Sequence, residues 1–390
     1  MNDTKNIGLR GVAVADTKVS HVDGQGGRLI YRGYDIEVLA ERSTYEEVAY
    51  LLIRGELPDA RELQTFSQAL AARRQLPPDL LAVLRACHPD TAPMDVLQAS
   101  VPLLAHHDPR PGDGTKEAER QRALDLTAKL PAVAAAWHRV RRGFEPVPSD
   151  GTLSHAADFL HMLHGDAPDP GLARELDTAL VLHADHGMNA STFTARTVVS
   201  TRASLYAAVS AALGALSGEL HGGANARVME MLEEIGDADR VDDYIRLALD
   251  SGGRIMGMGH AIYRTDDPRA VILQGMSQRA GVRAGEPNWF EITRRVQEAT
   301  QAGFRERKGA EIYPNVDLYS ASLYHVMGIP RDLFTPVFAV ARVAGWSAHV
   351  IEERYAEAAE KPELYRPLSE YVGRYCGPES CEYVPPGERK

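Results

Sequence analysis

The residues whose types and spacing can do chemistry gather in three short stretches. The longest, Gly253 to Ala270, reads GRIMGMGHAIYRTDDPRA and sets a histidine, arginines and two adjacent aspartates around the turn Gly257-Met258-Gly259. Small residues there let backbone N–H groups approach a ligand closely. His260 follows at once, and Arg264 and Arg269 supply planar cations suited to carboxylates or phosphates. The second stretch is His221-Gly222-Gly223-Ala224-Asn225, and the third is Ile312-Tyr313-Pro314-Asn315-Val316-Asp317. Two histidines, a carboxylate and several arginines are what proton transfer beside a carbonyl needs when the substrate is an anion. Each group also has a plainer reading. A lone histidine is more often a hydrogen-bonded structural residue, and Arg269 could simply pair with Asp266 or Asp267. Three loop-like segments, each bracketed by Gly or Pro, favour function.

The elements that must position these groups are read from composition and pattern. The chain has 390 residues, 44% hydrophobic and 25% charged, with a formal net charge of −11. That is long enough for a large core and two domains. The acidic balance argues against a nucleic-acid binder, so the arginines must be gathered locally into a positive cleft. Three cysteines, Cys87, Cys376 and Cys381, imply no disulfide framework, although the last two lie close enough in sequence to pair. No signal peptide is evident at the N-terminus, and no uninterrupted apolar run is long enough to span a bilayer. A cytoplasmic protein is expected.

Residues 10–34 are the only persuasive β region, with Val12 and Val14 alternating, turn chemistry at Asp23-Gly24 and Gly26-Gly27, and Leu29-Ile30-Tyr31 resuming. A small hairpin is expected there, and helices everywhere else. Ser43-x-x-Glu46 has the form of a capping box, and Asp59 opens a helix with Leu63, Phe66 and Leu70 on one face. Pro131 should break or kink its helix. His183 and His186 close another. At i and i+3 they could share a metal, but no motif supplies further ligands. Residues 204–219 are small or apolar all round, which suits a buried helix or a two-fold interface. Arg342 sits among Phe338 and Trp346 on the last long helix, where a buried arginine needs an anion. The final 25 residues look extended. The fold class is all-α with two domains.

The run LHADHGMNASTFTARTVVST, then ELHGGAN, IMGMGHAIYRTDDPRA, IYPNVDLYSASLYHVMGIP and FAVARVAGWSAHVIEE resembles the citrate synthase family, collinearly and over most of the chain. The resemblance implies condensation of acetyl-CoA with oxaloacetate and hydrolysis of citryl-CoA to citrate and CoA, with no permanently bound cofactor and no metal. It implies a homodimer whose large domain spans 1–220 and 330–390, with a small CoA-binding domain at 221–329 that closes over substrate. By motif position Asp317 would remove the methyl proton, His221 would hydrogen-bond the thioester oxygen, and His260 would donate to the oxaloacetate carbonyl. His186, Arg269, Arg342 and Arg366 would hold carboxylates, Arg366 reaching in from the partner subunit, and Phe338 would pack against the reacting groups. Met256, Gly257, Met258, Gly259 and Arg264 would line the CoA site, with Lys308 and Asn315 as further contacts.

Two departures stand out. The family's Gly-aromatic-Gly-His word carries Met258, and Ala261-Ile262-Tyr263-Arg264 replaces the Arg-Val-Tyr-Lys of many bacterial relatives. The long N-terminal extension of NADH-regulated hexameric forms is absent, which favours the dimer. The rival activity is that of a 2-methylcitrate synthase using propionyl-CoA. A catalytically silent CoA-binding paralogue is the remoter alternative.

Overall fold

The computed structural model describes residues 8–9, 11–373 and 383–389. Strands β1 (Ser20–Asp23) and β2 (Arg28–Tyr31) pair antiparallel with Ser20 opposite Tyr31, and β3 (Tyr34–Asp35) adds a third strand. The Asp23 carboxylate accepts the N–H groups of Gln25 and Gly26 and so closes the turn between β1 and β2. The expected hairpin is therefore a three-stranded sheet that starts later than the pattern suggested. Residues 11–19 form no strand, because Lys18 N–H donates to the Glu352 carboxylate at 2.6 Å and ties this segment to a helix instead.

Sixteen α-helices follow among the described residues: α1 (Ile36–Arg42), α2 (Tyr45–Arg54), α3 (Ala60–Arg73), α4 (Pro78–Ala86), α5 (Pro93–Ala105), α6 (Lys116–Val140), α7 (His155–His164), α8 (Pro170–His183), α9 (Ala190–Ser200), α10 (Leu205–Ser217), α11 (Ala224–Ile235), α12 (Val241–Asp250), α13 (Pro268–Ala284), α14 (Asn288–Lys308), α15 (Val316–Val326) and α16 (Phe334–Arg354). Asp59 and Glu62 form a capping box at α3. At α2 the cap is Thr44, one residue later than the Ser43 reading. Ser43 ends α1 and bonds back to Leu39, while Glu46 turns inward to accept the His155 N–H. Pro131 does not break α6, which runs unbroken for 25 residues. Nearly every residue around Pro131 is buried, so packing outweighs the one missing donor.

Helix α16 is the centre of the core, packed on α2, α6, α8, α9 and α10. The stretch Arg331–Arg354 has the length and mean hydropathy of a membrane span, but 89% of its apolar window is buried inside the protein and Arg342 interrupts it. It is a core helix. Gly345 lets it press on the chain after α8, since a Cβ there would lie 2.2 Å from the Ala184 carbonyl. Helix α10 buries Leu205, Val209, Leu213 and Leu216 against α5 and α9. It is not apolar and buried all round, because Ala207 is exposed and Ser210, Ala211 and Gly214 are half-buried. Helices α11 to α15 pack chiefly on one another, α13 on α15 and α12 on α14. Cys87 is a free, half-buried thiol, and Cys376 and Cys381 lie outside the described residues.

Candidate active site

A cavity of about 420 Å³ opens where these two groups of helices meet. His186, His221, His260, Arg269, Asp317, Phe338 and Arg342 all line it, with Gly259 and Asn315 at its edge. Seven side chains separated by up to 156 residues thus converge on one space.

Backbone pairing brings two of the three stretches together. Gly259 N–H donates to the Tyr313 carbonyl at 2.8 Å, Asn315 N–H donates to the Gly257 carbonyl at 2.9 Å, and the Asn315 amide donates to the Gly259 carbonyl at 2.9 Å. Gly257 must be glycine. Its φ is +79°, and a Cβ would lie 2.9 Å from Leu318 Cα. Asn315 also caps α15 by accepting the Asp317 N–H, which sets Asp317 in the first turn of that helix. The third stretch sits on another tight approach. A Cβ on Gly222 would lie 1.8 Å from the Leu216 carbonyl, so only glycine lets the chain fold back after α10 and carry His221 to the cavity.

Hydrogen bonds fix the tautomer of two of the three cavity imidazoles. His221 Nε2 accepts the Ser191 N–H at 3.1 Å, so its proton sits on Nδ1. His260 Nδ1 accepts the N–H groups of Ile262 and Tyr263, each at 3.0 Å, so its proton sits on Nε2. Burial holds both rings neutral, with Arg342 adding to the effect at His221 and Arg269 at His260, and each pKa falls to about 4. Burial pushes the Asp317 carboxyl the other way, to about 6, against the pull of Arg269.

The cationic groups differ in how they are satisfied. Arg269 forms a bidentate pair with Asp267, at 3.0 Å and 2.7 Å, and still faces the cavity. The plainer reading, a pair with Asp267, is what the structure shows. Arg342 donates Nε–H to the His183 carbonyl at 2.7 Å and lies over the Phe338 ring, but it makes no ion pair among the described residues. Its Nη2 is buried and unbonded, as are His186 Nε2 and Asn225 Nδ2, and burial lowers its pKa to about 10. Three residues that line one cavity thus each carry a buried polar atom with no partner in the protein.

Not every expected residue reaches this space. Met256, Gly257, Met258, Arg264 and Lys308 are not among its lining residues. Arg264 is exposed, and Lys308 is exposed with its ammonium 4.3 Å from the Phe304 ring. Arg366 is exposed on the non-helical arm after α16, outside its own chain's cavity. Its neighbour Tyr365 anchors the arm by stacking on Phe193 and donating to Glu353 at 2.6 Å. His183 spends Nδ1 on the Ala179 carbonyl and packs edge-on to Phe338, which sets it apart from His186. The sequence reading passed over Ser191, Asn225 and Trp346. A buried serine bonded to His221 has no signature in a linear pattern. Asn225 stood inside a quoted motif.

Two neutral imidazoles, a carboxyl of raised pKa and a buried arginine thus line one cleft of a largely helical fold. A family model described as citrate synthase, C-terminal domain, matches residues 8–368. The citrate synthase of Haloferax volcanii is 46% identical over 98% of both chains. A 2-methylcitrate synthase of Mycobacterium tuberculosis is 39% identical over 94% of this chain and 90% of its own. Among solved structures, the citrate synthase of Pyrobaculum aerophilum superposes with a TM-score of 0.90 at 38% identity, covering 98% of this chain and 95% of that one. That of Thermoplasma acidophilum, solved in a ternary complex with carboxymethyl coenzyme A and oxaloacetate, gives 0.87 at 31% identity over 97% and 98%. The chain is an acyltransferase of the citrate synthase family. Its activity is citrate synthesis.

Proposed function

We propose that Asp317, His221 and His260 carry out condensation of acetyl-CoA with oxaloacetate at this cleft. The observation that carries the reading is the pairing of two neutral imidazoles, holding opposite protonated nitrogens, with one carboxylate whose pKa is raised to about 6. A thioester methyl is a weak acid, so the base succeeds only where charge on the thioester oxygen is met as it develops. His221 Nδ1–H supplies that donor. Asp317 takes the methyl proton, and the resulting enolate carbon bonds to the ketone carbon of oxaloacetate. The ketone π electrons go to its oxygen, where His260 Nε2–H donates. A proton delivered there through His260 balances the one Asp317 removed, and water then cleaves the thioester to citrate and CoA.

Arg342, Arg269 and His186 hold the oxaloacetate carboxylates, with Phe338 packed beneath them. The unsatisfied Nη2 of Arg342 supports this, since a substrate carboxylate would complete it. Arg366 acts in the partner subunit's site of a homodimer, consistent with its exposure on an anchored arm. Residues 221–329 form a small domain that closes over residues 1–220 and 330–390. CoA runs along 256–259 and Arg264, with Lys308 and Asn315 nearby, as co-substrate and product rather than resident cofactor. The cytoplasm is the compartment.

Release of free thiol on mixing acetyl-CoA with oxaloacetate tests the activity, and its absence would refute it. Propionyl-CoA is the second reading, favoured by the 39% identity to a 2-methylcitrate synthase. One methylene changes discrimination by only about 1–3 kcal/mol. A higher kcat/KM for propionyl-CoA than for acetyl-CoA would decide for it.

A further inference from the structure

Three residues on one face of α16, at i, i+4 and i+7, grip the end of α8, the link after it and the start of α9. Arg342 holds the His183 carbonyl, Trp346 donates its indole N–H to Ser191 Oγ at 3.1 Å, and His349 Nε2 lies 3.3 Å from Asp185 Oδ1. Gly345 allows the approach. Among these, Trp346 connects to His221. Both Trp346 and Ser191 are fully buried, so their hydrogen bonds are not exchanged with solvent.

The proton inventory around Ser191 is small. Its hydroxyl has one proton and two acceptors at 2.8 Å, His221 Nε2 and Asn189 Oδ1. Asn189 Oδ1 already receives the Thr192 N–H at 3.0 Å as the cap of α9. His221 Nε2 already receives the Ser191 N–H. The indole can only donate, so it turns the hydroxyl proton away from itself and toward Nε2 or Asn189 Oδ1. A hydroxyl that accepts a hydrogen bond also becomes a better donor. Its bond to Nε2 is strengthened accordingly, beside that of the Ser191 N–H.

We propose that Trp346 is a positioning residue: through Ser191 it holds the His221 ring in place with its proton on Nδ1, aimed for the thioester oxygen. The proposal rests on the role given to His221 above. It is tested in the full-length enzyme with Trp346→Phe, Ser191→Ala and the double variant. Trp346→Phe alone should lower kcat about tenfold with the KM for oxaloacetate unchanged, and less than about twofold when Ser191 is already alanine. The backbone N–H of Ser191 keeps the His221 proton on Nδ1 in every variant, so the ring ¹⁵N shifts should report the Nδ1–H form throughout, with the Nε2 resonance displaced in Trp346→Phe as the hydroxyl's bond to it weakens. Equal losses in both backgrounds, or unchanged ring shifts with only a lower Tm, would overturn it. If Trp346→Phe does not fold, 3-benzothienylalanine at position 346 keeps the ring shape and replaces the N–H with sulfur. Unchanged kcat and ring shifts in that protein would equally overturn the proposal. His221→Gln, measured alongside, should lose turnover. Full kcat there would remove His221 from the chemistry, while the ring shifts in the Trp346 variants would still report whether the indole acts on its Nε2.

Discussion

His221 and His260 receive backbone N–H groups on different ring nitrogens, Nε2 in the first and Nδ1 in the second. Each therefore keeps the opposite nitrogen protonated as a donor while neutral. With both pKa values lowered to about 4, neither ring should charge between pH 5 and 8, and ¹⁵N spectra across that range should show neutral imidazoles. An imidazolium signal from either ring at pH 6.5 would contradict this. The sign for stability follows. Unfolded histidine takes up a proton near 6.5 and these folded ones do not, so their contribution is complete above 6.5 and declines toward pH 4.

Asp317 titrates in the opposite sense. Its folded pKa of about 6 lies above the ordinary 3.8, so the folded chain binds the extra proton between those values and the ionised carboxylate disfavours folding above pH 6. The base must be ionised to act. The kcat/KM for acetyl-CoA should fall as pH drops through about 6, and Asp317→Asn should lower kcat by about a thousandfold or more. The same variant should raise Tm at pH 7. Near-parent turnover in Asp317→Asn would remove the residue from the base role.

Arg342 is a buried cation with no ion pair among the described residues, which is unfavourable to fold and favourable for binding an anion. Replacing it with methionine should raise the KM for oxaloacetate about a hundredfold while Tm holds or rises. A large loss of Tm with an unchanged KM would make Arg342 a structural residue.

Arg366 should affect only assembled enzyme. Arg366→Ala is expected to weaken oxaloacetate binding while leaving the dimer intact by analytical ultracentrifugation. Calorimetry giving an unchanged Kd for oxaloacetate would exclude it from the site.

Much of this was legible in the linear sequence because glycine and proline punctuate it. The Gly257-x-Gly259 turn, the Asp59 cap and the helical spacing of α16 carry local signals that tertiary packing leaves alone. Ser43 and Val12 misled for a shared reason. A capping or alternating pattern gives no register by itself, and partners 109 residues from Glu46 and 334 from Lys18 set it. Glu352 draws Lys18 off any strand. Pro131 carries a correct local rule that burial overrides. Ser191 and Trp346 could not be read, because a hydrogen bond between residues 155 apart leaves no trace in composition or spacing.

The bridge between 257–259 and 313–315 ties the segments carrying His260 and Asp317 to each other, whereas His221 follows a helix from the other group. On the roles proposed above, whatever rearrangement admits or expels ligand must then carry the ketone's donor and the base as one unit.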